Sequence, residues 1–96
     1  MQIRWSPAAA EDLQQLFDYI QENNPFEAQR VAQTIYERVH NLTAHPYQGR
    51  QGRVVGTREL PLPPLPFIVV YQVQEDLDVL EIINIIHGAQ RWPPAS

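Results

Sequence analysis

Asn23-Asn24-Pro25 separates two stretches whose apolar residues recur at helical spacing, and it obliges those stretches to fold back on each other. Ahead of the break, Ser6-Pro7 reads as an N-cap followed by proline at the first helical position, where no backbone N–H is needed. Ala9, Leu13, Leu16, Phe17 and Ile20 then form an apolar stripe along one helix face. Glu11 and Asp12 read as acids placed near the positive helix end. A residue preceding proline is pushed out of the α region, so this helix fails before Pro25. Asn24-Pro25-Phe26-Glu27 restarts it with a cap, a proline and a glutamate three residues after the cap. Ala28, Val31, Ala32, Ile35, Val39 and Leu42 continue the apolar face, and the stop is expected at His45-Pro46. Two helices of ~15 to 20 residues joined by so short a turn pack antiparallel, as a helical hairpin.

Strand signals flank this hairpin. Gln2-Ile3-Arg4-Trp5 alternates polar and apolar, which suits a short strand burying Ile3 and Trp5. Phe67 to Val73 is β-branched, aromatic and nearly continuous, and Val79 to Ile86 is a second apolar strand interrupted by Glu81 and Asn84. The polar turn Glu75-Asp76-Leu77-Asp78 makes this pair antiparallel. Pro61-Leu62-Pro63-Pro64-Leu65-Pro66 lacks the donors a central strand needs and reads as a stiff connector rather than a polyproline ligand. The predicted fold class is α+β: a short N-terminal strand, an antiparallel helical hairpin and a three-stranded antiparallel sheet, in a single domain over 1–96. Strands apolar on both faces need cover on both sides, and the hairpin supplies one side. Part of the other is expected to await a partner.

Composition narrows the chemistry. The chain has 96 residues and no cysteine, which excludes disulfides, thiol nucleophiles and cysteine metal sites. Its seven basic side chains are all arginine, which excludes lysine-based mechanisms. No apolar run reaches the ~20 residues that span a bilayer and no secretory leader opens the chain, so a cytoplasmic protein without membrane contact is expected. The net charge of -4 argues against direct DNA binding by the whole surface. Yet residues 38–58 hold Arg38, Arg50, Arg53 and Arg58 with no acid, beside His40 and His45. His40, His45 and His87 show no metal-ligand spacing, and neither a metal nor another cofactor is expected. Arg58, His87 and Arg91 would bind phosphate if the strand carrying Arg58 lay beside the last strand, with His87 moving a proton. The plainer alternatives are that His87 caps the sheet and Trp92 seals the core beneath it.

Four stretches together resemble the ParE/RelE toxin superfamily, and its ParE branch in particular. They are Trp5-Ser6-Pro7 with Asp12-Leu13 and Tyr19-Ile20; Pro46-x-x-Gly49-Arg50; Arg53-x-x-Gly56-Thr57-Arg58-Glu59-Leu60 leading to Ile68-Val69-Val70-Tyr71; and His87-Gly88-Ala89 with Trp92-Pro93. The resemblance implies the toxin of a type II toxin–antitoxin module, held inactive by an antitoxin lying in an apolar trough. The expected lining of that trough is Leu13, Leu16, Phe17, Ile20, Ile68 and Val70. RelE-like relatives cleave messenger RNA on the ribosome without a metal, whereas ParE-like relatives inhibit DNA gyrase by binding it. Two departures from the superfamily pattern stand out: Asn84 lies where many relatives have an arginine, and Pro64 where they often have glycine. The absence of lysine and the acidic balance favour the gyrase inhibitor, with Arg50, Arg53, Arg58, Arg91 and Trp92 as the target-contacting surface. In the alternative nuclease, Arg58, His87 and Arg91 would be catalytic, or Glu59 the base.

Overall fold

The two proline-led helices form as their caps dictate. The computed structural model describes residues 1–95, and in it α1 spans Pro7–Gln21 and α2 spans Pro25–Asn41. Ser6 Oγ accepts from the Ala9 N–H at 3.0 Å, and Asn24 Oδ1 accepts from the Glu27 N–H at 3.1 Å. Helix α2 ends short of His45-Pro46, because successive tight turns bond Thr43 N–H to the His40 carbonyl and Ala44 N–H to that of Asn41. Val31, Ile35 and Val39 are buried along its inner face, with Leu42 buried just past its end, in one core with Ala9 and Leu13 of α1.

The sheet has five strands rather than an isolated first strand and a three-stranded unit. They are β1 (Gln2–Trp5), β2 (Arg50–Gln51), β3 (Arg58–Pro61), β4 (Phe67–Gln74) and β5 (Val79–His87), in the order β1-β5-β4-β3-β2. β1 joins as a parallel edge beside β5, with Trp5 opposite Ile82. The two-residue β2 pairs antiparallel with β3, and its brevity conceals it in the sequence. The proline cluster connects β3 to β4, with Leu62 buried and its N–H bonded to the Phe67 carbonyl.

The helices cover one sheet face, where Leu60, Val69, Tyr71, Leu80, Ile82 and Ile85 complete the main core. On the opposite face Ile68, Val70 and Ile86 form a smaller buried cluster, covered in part by Ile83 and Trp92. The chain itself thus closes much of the surface expected to await a partner.

An irregularity in β5 locks the two layers together. Val70 pairs with Asn84 but Tyr71 pairs with Ile82, so Ile83 is the extra residue of a bulge. A bulge leaves ladder groups unpaired, and α1 satisfies them. Ser6 Oγ donates to the Ile83 carbonyl at 2.8 Å. Asp12 Oδ2 accepts from the Ile85 N–H at 3.0 Å and from Asn84 Nδ2 at 2.9 Å. The first turn of α1 holds no acid, so Asp12 serves this tertiary bond rather than the helix end. Asp12→Ala strands a backbone donor and is expected to lower unfolding free energy by about 2 kcal/mol in urea titrations. The exposed Glu11→Ala is expected to change it by less than about 0.5 kcal/mol.

Candidate functional site

The stripe of α1 does not act as one surface. Leu13 is buried in the core, while Leu16 and Ile20 line a groove of about 640 Å³ with Val31, Leu65, Phe67, Ile85 and His87. This groove lies between the hairpin and the sheet end where β4 begins and β5 finishes. Phe17 turns instead into a separate hollow of about 470 Å³ with Trp5 and Tyr36. The Trp5 and Tyr36 rings meet there with centroids 5.4 Å apart. Ile68 and Val70 belong to the buried cluster on the opposite sheet face, so neither lines the groove. Helical spacing showed which α1 residues are apolar, but only packing shows which of them remain accessible. Tyr19, Leu65 and Phe67 were missed as lining residues, because nothing in their local pattern distinguishes a groove wall from a core edge.

The arginine block is organised by one carboxylate. Glu59 on β3 is buried, with only 1% of its surface exposed. Arg53 donates to it from its backbone N–H at 2.8 Å, from Nε at 3.2 Å and from Nη2 at 3.0 Å, and Arg50 Nη2 donates at 3.2 Å. Burial pushes the Glu59 carboxyl up, but the Arg53 side-chain and backbone bonds, with Arg50, outweigh it and hold the group at about 2. A carboxylate so saturated is a weak base near neutral pH, which removes Glu59 from the nuclease roles considered above. Arg50 and Arg53 keep exposed outer edges while this clamp fixes their direction.

Beneath the block, the Tyr71 hydroxyl accepts from Gly49 N–H at 2.9 Å and donates to the Pro46 carbonyl at 2.8 Å. A Cβ on Gly49 would come within 2.7 Å of that hydroxyl and 2.9 Å of the Glu59 carbonyl, so Pro46-x-x-Gly49 is a seat for Tyr71. Arg58 lies over the Tyr47 ring, 4.8 Å from its centroid, and donates through Nη1 to the carbonyls of Gly49 and Tyr47 at 2.7 and 3.3 Å. The Tyr47 hydroxyl donates to Glu75, a bond that holds its phenol above the ordinary value.

The chain end forms a different place. His87 closes β5, its Nδ1 accepting from the Ala89 N–H at 3.0 Å and its ring edge-on to Phe67. Arg91 is exposed, and Trp92 packs on the opposite-face cluster. Along β4, Arg58 is opposite Tyr71 and His87 is opposite Phe67. Four residues of strand place them about 13 Å apart along the strand direction, on different neighbouring strands. The single cleft expected for Arg58, His87 and Arg91 therefore does not form.

A hairpin of helices laid on a sheet ordered β1-β5-β4-β3-β2, with an apolar groove between the two layers and arginines along the β2–β3 edge, defines a RelE/ParE-like toxin fold. The ParE toxin family, described as the ParE toxin of the type II toxin–antitoxin system parDE, matches residues 3–92. This chain belongs to that family. It is 37% identical to a putative toxin, Y4kP, of Sinorhizobium fredii, over 95% of this chain and 92% of the relative. It is 33% identical to toxin RelE2 of Caulobacter vibrioides, over 93% of this chain and 97% of the relative. Among solved structures, a chain of the chromosomal ParDE system from P. aeruginosa superposes with a TM-score of 0.82 at 30% identity, covering 91% of this chain and 95% of that one. The intact E. coli RelBE toxin–antitoxin complex shares the fold, with a TM-score of 0.69 at 14% identity over 94% of this chain and 98% of the other.

The Glu59 clamp has a consequence for acid stability. Its carboxyl is held at about 2 against an ordinary value of 4.5, so the unfolded chain binds the proton first as pH falls. The stabilisation is fully present above pH 4.5 and is lost as pH falls toward 2. Melting curves across that window are expected to show wild-type stability falling with acid, and Glu59→Gln should remove that part of the slope. Glu59→Ala, which leaves the Arg53 backbone N–H and two half-exposed guanidiniums without their acceptor, is expected to cost about 2 kcal/mol at neutral pH.

Proposed function

We propose that this type II toxin acts by binding a protein target, DNA gyrase, and that an antitoxin segment neutralises it by occupying the groove between hairpin and sheet. The carrying observation is the separation of Arg58 from His87, combined with the commitment of Glu59 to Arg50 and Arg53. Metal-free RNA cleavage needs a base, an acid and cations around one phosphate. Here Arg58 and the imidazole lie on opposite sides of β4 and four residues apart along it, and the nearest carboxylate is saturated. What remains is a rigid, exposed arginine surface of the kind that dominates protein interfaces. Arg50, Arg53 and Arg58 form it, while Arg91 and Trp92 form a second contact at the chain end. The ParE family match and the likeness to a ParDE chain support this reading, and it sets the toxin to work in the cytoplasm.

For the antitoxin, the groove supplies apolar walls from Leu16, Ile20, Leu65 and Phe67. An amphipathic segment laying alternate or helically spaced apolar side chains there would bury them against both layers. Leu16→Asp places a charge in the groove wall. It is expected to preserve growth arrest on induction while weakening rescue by the co-expressed antitoxin about tenfold.

Induction in bacteria with two readouts tests the target. The expected result is a DNA-damage response, inhibition of supercoiling by purified gyrase, intact transcripts, and unchanged toxicity for His87→Ala. Cleavage of ribosome-bound transcripts, abolished in His87→Ala with folding retained, would establish the nuclease instead.

A further inference from the structure

Arg58 is half-buried and has no carboxylate partner among the described residues. The only acid close in sequence, Glu59, is taken by Arg50 and Arg53, and Glu75 is taken by the Tyr47 hydroxyl. Arg58 spends Nη1 on two carbonyls, and among the described residues its Nε and Nη2 donate to nothing. Arg58 lines a cleft of about 300 Å³ together with Tyr47, Gln51, Val55, Thr57 and Val73. Val55, at the tip of the loop between β2 and β3, is 99% exposed.

That loop is braced. Gly52 N–H donates to the Thr57 carbonyl at 2.8 Å, and Thr57 donates to the Val54 carbonyl from its N–H at 3.1 Å and from Oγ1 at 2.6 Å. Gly56 takes φ +84°, which a side chain would resist, and a Cβ on Gly52 would meet Thr57 Oγ1 at 2.2 Å. The Arg53 N–H is fastened to Glu59. An aliphatic tip and a cation with unused donors are thus held in place before any partner arrives, which lowers the ordering cost of binding.

We infer that this cleft receives a carboxylate side chain, flanked by an apolar neighbour, from the protein that the toxin inhibits. The carboxylate would meet Arg58, and Val55, Val73 and the Tyr47 ring would enclose the neighbour. Charge complementarity identifies the occupant, since among the described residues Arg58 is the one charged side chain that lines the cleft and no acid lines it. A nucleic acid fits less well. The chain carries a net charge of -4, and the cleft holds one cation among mixed polar and aliphatic walls rather than a run of cations along a groove. The inference rests on the toxin acting through protein–protein binding, and it does not require that the protein be gyrase.

Val55→Asp and Val55→Leu in the full chain test it. Val55→Asp is expected to lower growth arrest on induction, and inhibition of purified gyrase, about tenfold. Val55→Leu should retain both, with each variant still co-purifying with antitoxin and melting at the wild-type temperature. Gln51→Glu, nearly isosteric, brings a competing carboxylate to Arg58 and should lower potency likewise, which guards against a folding defect in the first variant. Growth arrest of wild-type strength in Val55→Asp and Gln51→Glu would overturn the pocket. Wild-type arrest without gyrase inhibition would overturn gyrase as target, while the growth data still decide the pocket. Binding to a short mixed-sequence DNA duplex, lost in Val55→Asp, would overturn the assignment to an acidic protein surface. A wild-type chain that arrests no growth would overturn both readings.

Discussion

The bulge at Ile83 is the point on which the two layers of this toxin depend. β5 lies between β4 and β1, and a ladder slip in the middle of such a strand leaves backbone groups without partners. Ser6 and Asp12 complete that ladder from the helical side. One residue that caps α1 and another nearly two turns along it thereby set how α1 lies over the sheet. The groove walled by Leu16, Ile20, Phe67 and Ile85 exists because this placement leaves the far ends of hairpin and sheet apart. The same bulge accounts for Asn84: its amide is held by Asp12, so the place where relatives often carry a charge belongs here to the layer contact.

The second organising interaction lies on β3, on the far side of β4 from β5. A buried carboxylate is tolerated only when its lone pairs are met, and Glu59 meets this with four donors from Arg50 and Arg53. The clamp turns a flexible, arginine-rich loop into a fixed surface, and Tyr71 props the loop from below through Gly49 and Pro46. Because Glu59 is satisfied by two arginines, the third, Arg58, is left with unused donors in a cleft. Rigidity and residual positive charge therefore have one origin, and the proposed recognition of a protein target draws on both.

Much of this was legible in the residues. Proline-led caps and helical spacing located both helices, and β-branched runs located β4 and β5. The four motif stretches indicated the toxin family that the comparisons establish. Less legible were the short edge strand β2, the parallel docking of β1, and the division of the α1 stripe among core, groove and hollow. Leu13, Phe17, Ile68 and Val70 all look like trough residues in a list of apolar side chains. Their separation onto different faces follows from strand alternation and helix rotation, which a local pattern does not orient.

What the sequence by itself determined is whatever depends on neighbours along the chain: where helices begin and fail, which strands are buried, and which segment carries only positive charge. Tertiary structure alone decided which distant residues meet. Strand order put Arg58 and His87 on either side of β4, and register put them four residues apart along it. Folding also turned Glu59 inward toward Arg50 and Arg53, and brought Asp12 to a bulge more than seventy positions away. Such pairings arise from hydrogen-bond and burial requirements satisfied across the sheet, and no spacing between adjacent residues encodes them.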